Sequence, residues 1–156
     1  MVWVHILPAA SYKEVKMVEH NRMKTSEFII PEIGIAEIDS DHAEIMRLIK
    51  STINANDKTQ FFDFVVQALD YIHKHFAAEE AFMESIQYPG RRIHGIEHKS
   101  LRDFVKVYLK PTLQEMTNRE EIVRECVKAF KFHVVEHDVP LANYILAQGL
   151  KFDKDK

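Results

Sequence analysis

A repeating pattern of apolar positions between Phe61 and Ile86 predicts a long helix over about Thr59 to Ile86. Successive positions are separated alternately by four and three residues, which is the spacing of one buried helix face. Two of the positions are polar, His75 and Glu79. Because they are four residues apart, both side chains lie on that face. Because a buried carboxylate without a partner is costly, the pattern indicates a metal cation bound there. The positions are Phe61, Val65, Ala68, Ile72, His75, Glu79, Phe82 and Ile86.

Three further segments have the same spacing, and each also carries histidine among its apolar positions. The first helix is predicted to be short, with a cap at Asp39 or Ser40. The third begins at about Arg92, and the fourth is predicted to be capped by Thr117 or Asn118. Their inner positions are His42, Ile45, Ile49 and Ile53 in the first helix, His94, His98, Leu101, Val105, Tyr108 and Thr112 in the third, and Ile122, Cys126, Ala129 and His133 in the fourth.

Two prolines interrupt these patterns. Pro111 should kink the third helix or end it early, so its end is placed between Lys110 and Met116. Pro140 lies near Asp138, which follows His133 by five residues and would point about 140° away from it on a regular helix. Because proline removes a backbone hydrogen bond, we expect the backbone near Asp138 to leave helical geometry and to swing its carboxylate toward the core.

The four amphipathic segments predict an all-α fold, an antiparallel up-down-up-down four-helix bundle. Residues 1–33 are interpreted as an N-terminal arm packed on the bundle and residues 34–150 as the bundle itself. A short C-terminal helix is predicted over about Val139 to Gln148, with Gly149 as its stop. Residues 151–156 are interpreted as a charged tail or a cut linker.

Composition narrows the class of protein. The 156 residues are 46% hydrophobic with a formal net charge of −3, which suits a compact helical domain and gives no broad basic surface for nucleic acid. No apolar run is long enough to cross a bilayer, and the start of the chain lacks the pattern of a secretion signal, so we expect a cytoplasmic protein without membrane insertion. The single cysteine, Cys126, is predicted to be a small core residue.

The inward-facing polar residues form a set of metal ligands. Five imidazoles and two carboxylates are too many for one ion but suit two ions bridged by carboxylates, and the nitrogen ligands favour iron, zinc or copper over calcium or magnesium. Glu136 and His137 are rivals to Asp138, whereas His73 is expected on the surface and Glu80 turned away. The predicted ligands are His42, His75, Glu79, His94, His98, His133 and Asp138.

Four stretches of sequence carry these residues at spacings that are specific as a set. They are Gly34-Ile35-x-x-Ile38-Asp39-x-Asp41-His42, Tyr71-x-x-x-His75-Phe76-x-x-Glu79-Glu80-x-x-Met83, Tyr88-x5-His94-x3-His98 and His133-x4-Asp138. In these stretches the chain resembles the hemerythrins, and in particular the bacterial hemerythrins.

The resemblance implies a non-haem site with two iron ions and a bridging oxo or hydroxo group. In such a site His94, His98 and His133 hold one iron, His42 and His75 hold the other, and Glu79 and Asp138 bridge the pair. The iron with fewer ligands has an open position, where the family binds O₂ reversibly as a hydroperoxide. The resemblance therefore implies an O₂-binding protein for storage or transport and not an enzyme.

Two alternatives stay open at this point. Hemerythrin domains also occur fused to signalling domains, so the chain would then be the O₂- or redox-sensing part of a larger protein, with a downstream signalling domain as its partner. The other alternative is a di-iron peroxidase or oxidase, although the histidine-rich ligand set differs from the carboxylate-rich sites of ferritin-like oxidases. Nitric oxide and peroxide are alternative ligands to O₂.

Overall fold

The structure, a computed structural model, describes residues 23–115 and 119–154, with side chains up to residue 107 in the first range. These residues contain helices and connections and no strand. A 3₁₀ turn, Thr25–Phe28, precedes the first helix, and a π-helical turn, Val134–Asp138, separates the last two. The helices are α1 Ala36–Ile53, α2 Lys58–Ser85, α3 Arg91–Glu115, α4 Arg119–His133 and α5 Val139–Ala147.

The helices pack as the predicted all-α bundle. α1 packs against α2 and α4, and α3 packs against the same two helices, so consecutive helices are neighbours around one core. α4, the π-helical turn and α5 run on without a break and together form the fourth helix of the bundle. Within the described part of the chain, no helix is both long enough and apolar enough to span a bilayer.

The predicted start of α1 is wrong. The helix begins at Ala36 and is 18 residues long rather than short, and Asp39 lies in its first turn instead of capping it. The carboxylate of Asp39 accepts hydrogen bonds from the backbone N–H groups of Ile33 (2.7 Å) and Gly34 (3.0 Å). Asp39 therefore fixes the entry of the chain into α1, because its side chain binds the preceding loop.

The other helix boundaries agree more closely with the pattern. Asp57 caps α2 by accepting a hydrogen bond from the backbone N–H of Gln60 at 2.8 Å. α3 continues through Pro111 and ends at Glu115, inside the predicted interval, so the proline does not end it early. The predicted cap of α4 at residues 117–118 lies outside the described residues.

The buried face of α4 is offset by one residue from the prediction. Ile122, Cys126 and Ala129 are only partly buried, whereas the neighbouring row Val123, Val127, Phe130 and Val134 is buried. The two rows lie side by side on the helix, and the second contains the large Phe130, so turning it inward removes more apolar surface from water. His133, the last residue of the predicted row, is buried as expected, with 2% of its surface exposed.

The region before Pro140 also differs from the expectation. The backbone of Asp138 (φ −77°, ψ −37°) and Val139 (φ −59°, ψ −48°) stays helical, and the N–H of Val139 donates to the carbonyl of Val134 five residues earlier. The chain therefore widens by one residue instead of leaving the helix. A wider turn accommodates the proline ring and still brings the Asp138 carboxylate inward, as predicted.

Two apolar clusters enclose a layer of polar side chains. On α1 His42 lies between Ile38 of one cluster and Ile45 of the other, and on the last helix Asp138 lies between Leu141 and Val134 in the same way. The polar layer is thus closed from both ends of the bundle. The first cluster is Phe28, Ile45, Met46, Ile49, Ile53, Phe76, Val123, Val127, Phe130 and Val134, and the second is Ile35, Ile38, Phe82, Met83, Tyr88, Leu141, Ala142, Ile145 and Phe152.

Both described chain ends pack on the bundle. In residues 23–33 the ring of Phe28 is buried in the first cluster, and Glu27 forms an ion pair with Arg124 of α4 at 3.2 Å. At the other end Phe152 is buried in the second cluster, so this part of residues 151–154 is packed and not a solvated tail. The interpretation of residues 1–22 as an arm falls on residues outside the described range.

Candidate metal centre

All seven predicted ligands meet in the polar layer. α1 supplies His42, α2 supplies two residues, α3 supplies two, and the last helix supplies His133 and Asp138. Each of the seven side chains is at most 2% exposed. Their ligand atoms form two groups, within each of which they lie within 4.8 Å of one another: Glu79, His94, His98, His133 and Asp138 in one group, and His42, His75 and Glu79 in the other.

The larger group, the three-histidine half, directs three imidazole nitrogens at carboxylate oxygens. His94 Nε2 lies 3.0 Å and His133 Nε2 lies 3.1 Å from Asp138 Oδ1. His98 Nε2 lies 3.2 Å from Glu79 Oε2. The Nε2 atoms of His94 and His133 are only 3.3 Å apart. Nitrogen lone pairs this close face one common point, which is the arrangement of ligands around a cation.

The smaller group, the two-histidine half, uses the other oxygen of each carboxylate. His42 Nε2 lies 3.2 Å from Asp138 Oδ2, and His75 Nε2 lies 3.7 Å from Glu79 Oε1. Each carboxylate therefore faces the three-histidine half with one oxygen and the two-histidine half with the other. This is the geometry of two bridging carboxylates between two adjacent ions.

The cluster is not satisfied by hydrogen bonds among its own members. Ten buried side-chain atoms in the described residues lack a hydrogen-bond partner, and every one belongs to the seven predicted ligands. The short nitrogen–oxygen contacts do not have the geometry of hydrogen bonds, so the two oxygens of Glu79 and the two of Asp138 remain without donors. Buried polar atoms without partners are rare in folded proteins. Metal ions in the layer would supply partners for the seven of these atoms that face its centre, which are the four carboxylate oxygens and the Nε2 atoms of His42, His75 and His98.

The pKa shifts of the two carboxyl groups also indicate a site for a cation. Burial, together with the nearby Asp138, raises the pKa of Glu79 well above its usual value. Burial alone would also raise the pKa of Asp138, but the close imidazoles of His133, His42 and His94 hold it below its usual value. Without a cation the protonated form of Glu79 is favoured, whereas bound cations would stabilise both groups as carboxylates.

Burial favours the neutral, metal-binding form of His98 and His75. It lowers the pKa of His98, and the neighbouring imidazoles of His133 and His94 lower it further. It also lowers the pKa of His75, although the hydrogen bond to Asp41 opposes this. Neutral imidazoles with free Nε2 lone pairs, plus two carboxylates, suit iron, zinc or copper. The residues present therefore fit a pair of such ions.

Two carboxylates outside the ligand set orient two of the histidines. Asp41 Oδ2 lies 3.3 Å from His75 Nδ1, and Glu80 Oε1 lies 2.9 Å from His98 Nδ1. A hydrogen bond from Nδ1–H fixes the tautomer and the plane of the ring, so that Nε2 presents its lone pair to the metal. Tyr71 donates its hydroxyl proton to Asp41 Oδ1 at 2.7 Å.

Aromatic rings exclude water from the cluster. The ring of Phe76 stacks on His98 with centroids 3.9 Å apart and an interplanar angle of 11°. Phe130 meets His42 edge to face at 5.4 Å and is 4% exposed. Both rings belong to the first apolar cluster. They close one side of the polar layer, which strengthens electrostatic interactions within it.

The residues that were considered as alternatives to Asp138 lie outside the group of seven buried side chains. Glu136 is exposed and His137 is partly exposed, with its ring stacked 5.5 Å from that of His133. His73 is exposed, as expected. Cys126 is partly buried rather than a core residue, and burial raises the pKa of its thiol to about 11.

The sequence patterns missed the roles of Asp41 and Glu80. Glu80 was expected to turn away from the cluster, and it does leave the ligand face, but its side chain reaches His98 across the groove between α2 and α3. Their position in the sequence could have identified them, because each of these acidic residues directly precedes or follows a predicted ligand in the quoted motifs.

Comparisons with known proteins give one match. The family model described as hemerythrin HHE cation binding domain matches residues 33–139, a range that contains all seven predicted ligands. No curated protein and no solved structure matches the chain.

Proposed function

Since the chain belongs to the hemerythrin family of HHE cation-binding domains, we propose that it holds two iron ions in its polar layer and binds O₂ reversibly there. The observation that carries the proposal is the split of both carboxylates, Glu79 and Asp138, between the two groups of histidines. One ion would leave half of the ligand atoms unused, whereas two adjacent ions use all of them.

The two halves differ in how many protein ligands they offer. The three-histidine half offers three imidazole nitrogens and two carboxylate oxygens, and the two-histidine half offers two nitrogens and two oxygens. The ion in the second half therefore keeps an open position for a small ligand. Two ferrous ions would supply the electrons that reversible O₂ binding requires.

The chain itself supplies orientation and a dry surrounding. Asp41 and Glu80 keep the rings of His75 and His98 turned toward the centre. Phe76 and Phe130 cover the rings of His98 and His42 and keep water away from the centre of the layer, which would slow proton transfer from solvent to a ligand held there. These roles suit a protein that binds and releases a small molecule. We propose that it does so in the cytoplasm.

The test is iron content combined with a visible spectrum. Purified protein is analysed for iron, reduced without oxygen, exposed to O₂ and then freed of O₂ again. We expect two irons per chain and a visible band that appears with O₂ and vanishes on its removal. His75→Ala should abolish the band. His73→Ala, which removes an exposed histidine from the same helix, is the matched control and should leave the band unchanged.

The same experiment separates the proposal from its alternatives. A colour change that occurs once and does not reverse would indicate a one-way redox sensor or a peroxide-consuming enzyme instead of an O₂ carrier. Protein that binds a single zinc ion, or no metal after supply of iron, would overturn the di-iron proposal.

A further inference from the structure

The end of the chain turns back onto the bundle after α5. Gly149 has φ +63°, and its N–H donates to the carbonyl of Leu146 at 3.1 Å, while the N–H of Leu150 donates to the carbonyl of Ile145 at 3.0 Å. This hydrogen-bond pair is the Schellman motif, which reverses the chain direction at a helix end. Residues after Gly149 are therefore directed along the side of the bundle instead of continuing the helix axis.

An aromatic side chain anchors this segment. Phe152 is 6% exposed, and its ring meets Phe82 of α2 edge to face with centroids 4.8 Å apart. Phe152 belongs to the same apolar cluster as Ile38 of α1. Burial of the phenylalanine ring, together with the hydrogen bonds at the end of α5, stabilises this placement of the segment.

The anchored segment places a cation on the carboxylate that supports His75. Lys154 Nζ donates a hydrogen bond to Asp41 Oδ1, and the lysine side chain is 38% exposed while that of Asp41 is 6% exposed. Asp41 thus has three partners, with Lys154 and Tyr71 on one oxygen and His75 on the other. These partners fix the plane of the carboxylate and with it the direction of the His75 ring.

The three-histidine half has a matching arrangement supplied by α2 and α3 alone. Glu80 Oε1 accepts from Arg102 at 3.3 Å and lies 2.9 Å from His98 Nδ1. Each half therefore contains the same series of cation, carboxylate and imidazole. In one half the cation is part of α3, and in the other it comes from the chain end.

We propose that Lys154 is a positioning residue of the metal centre, which acts through Asp41 to hold His75 in its metal-binding orientation. The inference rests on the proposed di-iron function. It assigns the segment 150–154 a role in retaining the ion of the two-histidine half.

The test measures iron loss from the full-length protein loaded with iron. The chelator ferrozine is added to the reduced protein, the release of each ion is followed by absorbance, and Mössbauer spectra identify which iron remains. Lys154→Met should release the iron of the two-histidine half about fivefold faster and leave the other iron unaffected. Lys154→Arg keeps the charge and should restore slow release.

Lys151→Met is the matched control, because Lys151 is an exposed lysine of the same segment. It should release iron at the wild-type rate. The thermal unfolding of each metal-free variant is recorded as well, and it should be unchanged in Lys154→Met, since a purely structural role would lower the unfolding temperature and would affect both irons alike.

Three results would overturn the inference. They are unchanged iron release in Lys154→Met, equal acceleration for both irons, and failure of Lys154→Arg to restore the wild-type rate. If the wild-type protein does not take up two irons, the proposed function itself fails. Two irons in the wild type with no selective loss in Lys154→Met removes only the role of Lys154.

Discussion

The two halves of the metal centre are built from the same kinds of residue but differ in number and in support. The three-histidine half draws on α3 and the last helix, and its supporting series of Glu80 and Arg102 comes from α2 and α3. The two-histidine half draws on α1 and α2, and its supporting carboxylate, Asp41, also contacts the chain end through Lys154. If the centre holds two ions as proposed, this difference would let one ion be held tightly while its neighbour exchanges a ligand.

Removal of the shared ligand should break both halves at once. Glu79→Ala deletes the two oxygens that face opposite groups of histidines, so we expect loss of both ions and a decrease in iron affinity of at least about 100-fold. Iron per chain after supply of excess iron is the measurement, with circular dichroism to show that the bundle persists. Asp63→Ala, at an exposed position of the same helix, is the control. Retention of two irons would rule out the bridging role of Glu79.

Removal of one histidine from each half in turn should distinguish the properties of the two halves. His42→Ala is expected to lose the iron of the two-histidine half and the response to O₂, while the other iron stays bound. His133→Ala is expected to weaken the three-histidine half, with iron affinity there reduced by on the order of tenfold to 100-fold. Iron counts and Mössbauer spectra of the two variants provide the comparison. Identical losses in both would show that the halves do not act as separate sites.

Weakening of a carboxylate that orients a ligand histidine should have a smaller effect on iron binding, confined to one half. Glu80→Gln removes the charge beside His98 Nδ1, so the iron of the three-histidine half should leave about tenfold faster. Release into a chelator measures this rate. Glu84→Gln, one turn further along α2 at an exposed position, should not change it. Faster loss of the other iron would contradict the pairing of Glu80 with the three-histidine half.

The smallest expected effect concerns the metal-free protein. Because the folded-state pKa of Glu79 is raised, the stability that this group contributes is fully present below 4.5, its ordinary pKa, and is lost as the pH rises toward the folded value. Glu79→Gln cannot lose a proton, so its stability relative to the wild type should increase as the pH rises.

Denaturant unfolding of both metal-free proteins between pH 4.5 and about pH 8 measures this difference. Because Glu79 interacts with Asp138, the difference reports the two carboxyl groups titrating together and not Glu79 alone. A stability difference that stays constant over this range, or that falls with rising pH, would show that burial does not raise the pKa of Glu79.

Much of the fold and of the buried polar cluster could be predicted because both depend on the same helical spacing. A polar residue at an inner position of an amphipathic helix is marked by its apolar neighbours, as His75 and Glu79 are by Ile72 and Phe82. The five histidines and Glu79 were therefore visible as exceptions within four apolar rows, whereas Asp138 lay off its row and depended on the expected departure from the regular helix near Pro140. Their assembly needs only that the rows face one another, which the bundle guarantees.

The supporting contacts could not be predicted in this way. Asp41 and His75 are 34 residues apart, and Lys154 is 113 residues from Asp41, so these contacts depend on side-chain reach across the finished bundle. The one-residue offset of α4 had a similar cause. Two adjacent rows both contain apolar residues, and only packing decides that Phe130 and not Ala129 turns inward.

The widened turn between His133 and Asp138 has a consequence for how the protein tolerates mutation. Val135 and Glu136 are exposed, so many substitutions at these positions should be neutral. Deletion of either residue should be tolerated as well, because it would shorten the spacing of His133 and Asp138 from five residues to four, which a regular helix places only about 40° apart. Asp138 and Leu141 would then still face the core on an unwidened helix. Insertion of a residue is different, because on a regular helix it would rotate everything downstream by about 100°. This stretch is therefore permissive toward changes of residue type and toward the loss of one residue, and the gain of a residue should be the more damaging change in length.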